Sequence, residues 1–537
     1  MQVIIPMSGF GERFRRVGYQ VPKPLIDIEG KPIIAHVVDM FPGETDFIFI
    51  CNQDHLDEPD FHMRDILENL CPTARIVGIA PHKLGPIHAV QQVADLVSDS
   101  EPTIVNYCDF TCYWDYSAFK KRVQETDCDG AVPAYRGFHP HTLGSTNYAY
   151  MREENMRMLD IKEKEPFTDN RMQEFASSGT YYFKSGAVMK RALADCVAQD
   201  LSINGEFYVS LAYKPMLEAG ADIRVYELEH FMQWGTPEDV AEYNGWSDVF
   251  HHFTKPTPTH EAPEAPEAED NHAVIIPMAG LGQRFADAGY TTIKPLIEVK
   301  HQPMVLSAVY DLPPAAHHVF VLRGDMPGLD DILQTLKTRF PQAILEILPA
   351  LTDGQALTCL AGLEALERER PDFDGTVTFG ACDNGAIYDL EKFAQWQAQG
   401  GELLVWGARG VTNAVRHPKM FGWIDVRDEQ IVNVSVKQPL DNPQHDPIIT
   451  GTITFRSGAL FRRCVESLLA REGRVNGEYY LDSCVNDALT LGLVCELFEN
   501  QHYISWGTPN DLKTFEYWQS CFSKWASHPF LDFEPAK

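Results

Sequence analysis

Apolar residues along this chain gather in short runs rich in β-branched and aromatic side chains, and longer amphipathic stretches separate them. In the first half FIFIC (Phe47 to Cys51), ARIVGIA (Ala74 to Ala80), TIVNYCD (Thr103 to Asp109), GAVPAY (Gly130 to Tyr135) and GTYYF (Gly179 to Phe183) read as strands. HAVQQVADLV (His88 to Val97) and GAVMKRALADCVA (Gly186 to Ala198) read as helices with one apolar face. The second half answers with HVFVLR, AILEILPA, TVTFGACD, ELLVWGA and GTITF. Such alternation predicts an α/β fold, a mostly parallel mixed sheet flanked by helices. Ligands of such sheets sit beyond the carboxyl ends of the strands, so the loops there are the place to look for chemistry.

The two halves are copies. VIIPMSGFGERFRRVGYQVPKPLI, Val3 to Ile26, returns about 270 residues later as VIIPMAGLGQRFADAGYTTIKPLI, Val274 to Ile297, with fifteen of twenty-four positions identical. The identities include Gly, Arg and Lys as well as the apolar positions, whereas a duplicated core element would let its polar positions drift. A period this long marks a duplicated domain and not a solenoid. Repeat one spans 1–253 and repeat two 272–537. Between them TKPTPTHEAPEAPEAEDN (254–271) has little apolar surface to bury and reads as an extended, self-repelling linker.

Composition narrows the classes. A chain of 537 residues exceeds one hydrophobic core, and its 44% hydrophobic and 23% charged residues are those of a globular protein. A formal charge of −31 argues against a nucleic-acid or anionic-membrane surface. The N-terminus lacks the basic region of a signal peptide, and no apolar run approaches the ~18 residues that span a bilayer. The twelve cysteines form no CxxC pair, so buried free thiols in a reducing cytoplasm are expected.

Candidate chemistry starts at the repeated stretch. Gly9 and Gly11, and Gly280 and Gly282, follow a strand and let backbone N–H groups approach an anion. A Gly-x-Gly by itself is as readily a structural turn. The GK[ST] ending of a Walker loop is absent, and Phe14 or Phe285 replaces the third glycine of the dinucleotide fingerprint. Arg13 and Arg284 follow two residues on, and Lys23 and Lys294 ten beyond those, supplying a guanidinium fork and a point charge for phosphates. Asp109 and Asp383 end predicted strands, where a carboxylate suits a hard divalent ion or merely caps a loop.

PMxGxGxRF…KPLI resembles the signature of the sugar-phosphate nucleotidyltransferases, over most of each repeat. The resemblance implies two tandem domains of GT-A-like, Rossmann-like fold that join a nucleoside triphosphate to a sugar 1-phosphate and release pyrophosphate. It implies that Asp109 and Asp383 hold Mg²⁺. QWGTPEDV and SWGTPNDL are similar to the family's D-x-G-T-P segment, but Gln233 and Ser505 stand where its second metal-binding Asp would be. IKEKEP and VSVKQP look like the EKP motif, giving Lys164 and Lys437 for the acceptor phosphate. NGEFYVS and NGEYYLD resemble the sugar-contacting segment, giving Glu206 and Glu478; unaided, either reads equally as a helix start with aromatic core residues. TDGQALTCL is close to the nucleobase loop at Gly354, whereas repeat one keeps Gly85 but follows it with Pro86. A family glycine is kept at Gly422 and replaced by Ala149 in repeat one.

The expected partners are therefore an NTP and a small phosphorylated acceptor, with no nucleic acid and no membrane insertion; oligomerisation stays open. Fusion of two copies suggests two steps of one pathway, or two activated precursors for a surface polysaccharide. Two other readings stay alive. One is a glycosyltransferase of the same fold that uses a sugar nucleotide, although its D-x-D motif is missing at Asp109 and Asp383. The other is one active domain beside a regulatory one.

Overall fold

The computed structural model describes residues 1–254 and 271–532. The chain divides into two units: Met1–Thr254 together with the chain from Tyr517 onward, and the chain up to Glu516 between them. Most of the predicted linker, 255–270, lies outside the described residues. Its first residue, Thr254, closes the helix Pro237–Thr254, and the strand His272–Pro277 follows its last, Asn271.

In unit 1 the strands Arg75–Ile79, Asp46–Asn52, Gln2–Met7 and Thr103–Asn106 lie side by side and parallel. Val3, Ile4, Ile5, Ile48, Phe49 and Ile50 are fully buried, as expected where helices cover both faces of a parallel sheet. Beyond Thr103–Asn106 the sheet turns mixed. Thr180–Phe183 and Gly130–Tyr135 join antiparallel, Ile223–Glu227 runs parallel to Gly130–Tyr135, and the hairpin Ala149–Glu154/Arg157–Glu163 completes that side. The helix Gly186–Ala198 starts at Ser185, whose hydroxyl accepts from the Val188 N–H, and buries Met189, Ala192, Leu193 and Cys196 at helical spacing. The helix read at 88–97 instead covers Pro86–Gln92, followed by a 3₁₀ turn at Ala94–Leu96. Pro86 takes the first helical position, where its missing N–H costs nothing.

Unit 2 repeats the plan. Ile344–Leu348, His317–Arg323, His272–Pro277 and Thr376–Phe379 are parallel in the same order, and Ile448–Phe455 continues antiparallel. A small antiparallel ribbon accompanies each sheet, Phe110–Tyr113 with His230–Gln233 and Asn384–Ile387 with His502–Ser505.

The sequence division runs the second domain to residue 537, but from Tyr517 on the described chain packs with unit 1. The reason is aromatic. Trp518 and Phe522 meet the Tyr243 ring at 5.7 Å each, Trp525 lies against His36 and Trp234, and the Tyr517 hydroxyl donates to the Phe231 carbonyl. At the far end Glu29 accepts from Ser247 and lies 2.8 Å from His251 Nε2, with His528 beside them. Burial pushes the His528 imidazole down to about 4. All twelve cysteines are free and ten are buried; burial raises the Cys51 thiol to about 12. Among the described residues no helix is long and apolar enough to cross a membrane.

Candidate active sites

Each glycine loop leaves the carboxyl end of its unit's first strand. Gly11 and Gly282 both stand at φ 63°, the left-handed conformation that glycine adopts without strain, and each opens a five-residue helix. The phenylalanines that replace the third glycine are anchors. Phe14 and Phe285 are buried and meet Tyr19 and Tyr290 edge-on at 5.2 and 5.1 Å. That packing leaves Arg13 and Arg284 outside, and among the described residues neither makes a hydrogen bond or ion pair within the protein.

Lys23 and Lys294 begin 3₁₀ turns whose following prolines are buried. Lys23 Nζ donates to Asp109 Oδ2 at 2.8 Å; Lys294 donates to Asp383 and, at 3.1 Å, to the Gly507 carbonyl. Burial pulls both ammonium groups down, but the facing carboxylates outweigh it and hold both above the ordinary lysine value. Both lysines are charged at any physiological pH.

Asp109 and Asp383 lie just past the ends of Thr103–Asn106 and Thr376–Phe379. Their carbonyls accept from the N–H of Trp234 and Trp506 at 2.7 and 2.9 Å, tying each WGTP segment to its aspartate. A side chain on Gly235 or Gly507 would stand 3.3 Å from the carboxylate, so glycine keeps the backbone close. Opposite Phe110 and Asn384 in the ribbons stand Gln233 and Ser505. The Gln233 amide donates to Asp239, and its carbonyl oxygen is buried without a partner among the described residues. Ser505 Oγ donates to Asp511 at 3.2 Å and accepts from the Gly507 N–H at 3.3 Å, so its O–H and one of its two lone pairs are used inside the loop.

Asp239 and Asp511 were not singled out by the motif. Asp239 accepts from the Thr236 N–H at 2.9 Å while its own N–H donates to Thr236 Oγ1 at 3.2 Å, and Thr508 with Asp511 repeats the exchange. This is a capping box, and T-P-E-D and T-P-N-D spell it. Burial raises the Asp239 carboxyl to about 6 and the Asp511 carboxyl in the same direction; the nearby Asp109 or Asp383 charge adds to each.

The base and acceptor loops meet. Phe207 N–H donates to the Leu84 carbonyl at 3.0 Å and its carbonyl accepts from Ile87 N–H at 3.1 Å, closing the loop around Gly85. Tyr479 does the same with Asp353 and Ala356 around Gly354. A Cβ on Gly85 would lie 2.6 Å from the Phe207 nitrogen, and one on Gly354 2.5 Å from that of Tyr479. Asn204-Gly205 and Asn476-Gly477 have positive φ at both positions, so NGEFY and NGEYY are tight type I′ turns and not helix starts. Gly9 and Gly280 have open space around them.

Lys164 and Lys437 both adopt φ 60° at the end of a hairpin strand, a strained setting for a lysine. Lys164 Nζ donates to the Tyr208 hydroxyl at 2.6 Å, and that hydroxyl donates on to Glu206. Lys437 donates to the Met420 carbonyl and lies over the Tyr480 ring at 5.6 Å. Burial lowers the Lys437 ammonium despite the Asp482 charge. Arg284 acts electrostatically on Lys294, Lys437 and Tyr480, and Arg13 on Lys23 and Tyr208, so each unit converges its cations on one region.

A family model described as nucleotidyl transferase matches residues 2–249. The chain is 25% identical over 249 residues to the bifunctional protein GlmU of Methanococcus maripaludis, covering 45% of this chain and 54% of that one. It is 26% identical over 250 residues to mannose-1-phosphate guanyltransferase beta-A of Xenopus laevis, covering 44% and 62%. The chain thus spans little more than half the length of these curated relatives. A nucleoside-diphosphate-sugar pyrophosphorylase structure from Vibrio cholerae overlaps 45% of this chain and 98% of its own, at TM-score 0.38 and 20% identity. Over residues 2–249, then, unit 1 is similar to the nucleotidyl transferases.

Proposed function

We propose that each unit transfers a nucleotidyl group from an NTP to a small phosphorylated acceptor, a sugar 1-phosphate foremost, and that the chain is bifunctional. The observation that carries this is the duplicated Lys–Asp pair at the carboxyl edge of the parallel strands, Lys23 with Asp109 and Lys294 with Asp383. The family-model match over 2–249 supports it for unit 1; the return of the glycine-loop, Lys-Pro and aspartate motifs supports it for unit 2.

In this reading an acceptor phosphate oxygen attacks the α-phosphorus in line. A new P–O bond forms there as the bond to the β-phosphate bridging oxygen breaks, and pyrophosphate leaves with that electron pair. The nucleophile is already anionic, so positioning and charge neutralisation suffice. Arg13 and Arg284, unpaired and exposed, bind the leaving β,γ-phosphates. Lys23 and Lys294 reach the α-phosphate, and Lys164 and Lys437 hold the acceptor phosphate. Glu206 and Glu478, in the turns that clasp the base loops at Gly85 and Gly354, face the acceptor.

The residues fit a hard divalent ion. In unit 1 Asp109 and the unpartnered Gln233 oxygen would hold Mg²⁺; in unit 2 Asp383 would, with the Ser505 hydroxyl, whose O–H is given to Asp511, as a weaker second ligand. When bound, the ion neutralises charge on the triphosphate.

The products would be activated precursors, and the fusion of two such units supports a role in building a surface polysaccharide in the cytoplasm. The test is direct. With Mg²⁺, an NTP and a hexose 1-phosphate, the protein should release one pyrophosphate per acceptor consumed. A glycosyltransferase would release none and consume sugar nucleotide instead.

A further inference from the structure

The two hairpins that carry Lys164 and Lys437 differ at one interlocked set of positions. Strand register pairs Glu163 with Ala149 in unit 1 and Val436 with Gly422 in unit 2, so these are equivalent sites. The third member is Ser210 in NGEFYVS and Asp482 in NGEYYLD. In unit 1 the carboxylate comes from the strand: Ser210 Oγ donates to Glu163 Oε2 at 2.6 Å. In unit 2 the strand position is the apolar Val436, and the carboxylate comes from the turn segment. A Cβ on Gly422 would lie 2.4 Å from Asp482 Oδ2, so the alanine of unit 1 would force the Asp482 carboxylate out of its present place. Ala-Glu-Ser has become Gly-Val-Asp, and the carboxylate has moved without being lost.

Both carboxylates are half-buried beside the acceptor lysine. Burial raises the Glu163 and Asp482 carboxyls, the latter to about 6, against the pull of Lys164 and Lys437. Glu163 is held by Ser210. Among the described residues Asp482 receives no hydrogen bond or ion pair from another side chain; its own backbone N–H acts on the carboxylate, whose remaining lone pairs can accept from a ligand.

We propose that Asp482 selects the acceptor of unit 2 by accepting a hydrogen bond from an acceptor hydroxyl, and that the two units therefore take different phosphorylated acceptors. This rests on the reading of Lys437 as the acceptor-phosphate lysine. A carboxylate approaching from the turn meets a different hydroxyl from one approaching from the strand, and a pocket that hydrogen-bonds a hydroxyl rejects analogues lacking it.

The test uses the full chain with Lys23→Ala, which leaves unit 2 as the working site. Pyrophosphate release is measured against glucose 1-phosphate, mannose 1-phosphate, inositol 1-phosphate and phosphocholine, with each of the common NTPs. Adding Asp482→Asn should raise KM for the preferred hydroxylated acceptor tenfold or more, with the NTP KM unchanged and phosphocholine unaffected. The exchange Gly422→Ala, Val436→Glu, Asp482→Ser should shift the acceptor ranking toward that of the Lys294→Ala protein. If Asp482→Asn fails to fold, Asp482→Ser, which borrows the residue of unit 1, carries the same expectation. An unchanged acceptor KM and ranking in folded variants would overturn the proposal and leave the nucleotidyl-transfer reading standing. No release from the Lys23→Ala protein with any acceptor, while the Lys294→Ala protein still releases it, would overturn both for unit 2.

Discussion

At the centre of each unit the same four things recur: a glycine at φ 63°, an unpaired arginine, a lysine on a buried Lys-Pro turn, and an aspartate paired to it. Towards the rim the units part. Gln233 in one copy corresponds to Ser505 in the other, Pro86 follows one base-loop glycine where Gln355 follows the other, and the carboxylate of Glu163 is supplied instead by Asp482. Positions that would meet the triphosphate are fixed because every NTP presents the same phosphates. Positions that would meet the base, the acceptor or the second face of the metal are free to differ between copies.

The sharpest way to break this comparison is at the aspartates. Asp109→Asn should cut the activity of unit 1 by a factor of about 10²–10³ and leave unit 2 intact, with Asp383→Asn giving the mirror result, on the scale of losing one preorganised electrostatic group. Rates measured with the acceptor preferred by each unit check it; equal damage to both activities by one substitution would mean a single shared site.

Next come the clasped loops. Gly85→Ala and Gly354→Ala each force a side chain into a backbone 2.5–2.6 Å away at positive φ. Each should cost about 1–3 kcal/mol, seen as a lower Tm, and raise the NTP KM of its own unit. A milder divergence should appear at the metal. Gln233→Ala should raise the Mg²⁺ requirement of unit 1 roughly tenfold, while Ser505→Ala, which removes only a weak ligand already bonded to Asp511 and Gly507, should barely change that of unit 2. A Mg²⁺ titration of each single-site protein reads both.

The smallest effect concerns the chain's end, which only unit 1 holds. His528 is kept neutral by burial, with its folded value near 4 against 6.5 when free. Between those values the unfolded group binds more protons, so stability rises with pH there. The contribution is present above about pH 6.5 and lost as pH falls through 4. Limited proteolysis should therefore clip the chain after Glu516 faster at pH 4.5 than at pH 7.5, and His528→Asn should flatten the difference.

Much of this was legible in the residues. The parallel strands are written as apolar runs, and the duplicated polar positions point at Arg13, Lys23 and Asp109. Other features carry a local signal of their own: Asn204-Gly205 is a hairpin signature, Pro86 marks a helix start, and Thr236-x-x-Asp239 spells a capping box. The rest had no local signal. Nothing near Asp482 reveals that Gly422, sixty residues earlier, makes room for it. Nor does the helix at Pro509–Phe522 betray that its last turns carry Trp518 and Phe522 onto Tyr243 of the first unit. Such facts depend on which strands pair and which surfaces meet, and sequence periodicity does not encode that.

The central claim, two sites of one chemistry, is tested most directly by pyrophosphate release from the wild-type protein, Lys23→Ala, Lys294→Ala and the double variant, across the NTP and acceptor panel. Each single variant should lose one NTP–acceptor pair and keep the other, and the double variant should lose both by at least a hundredfold. A double variant that still releases pyrophosphate at the wild-type rate, or a Lys294→Ala protein indistinguishable from wild type on every pair, would contradict it.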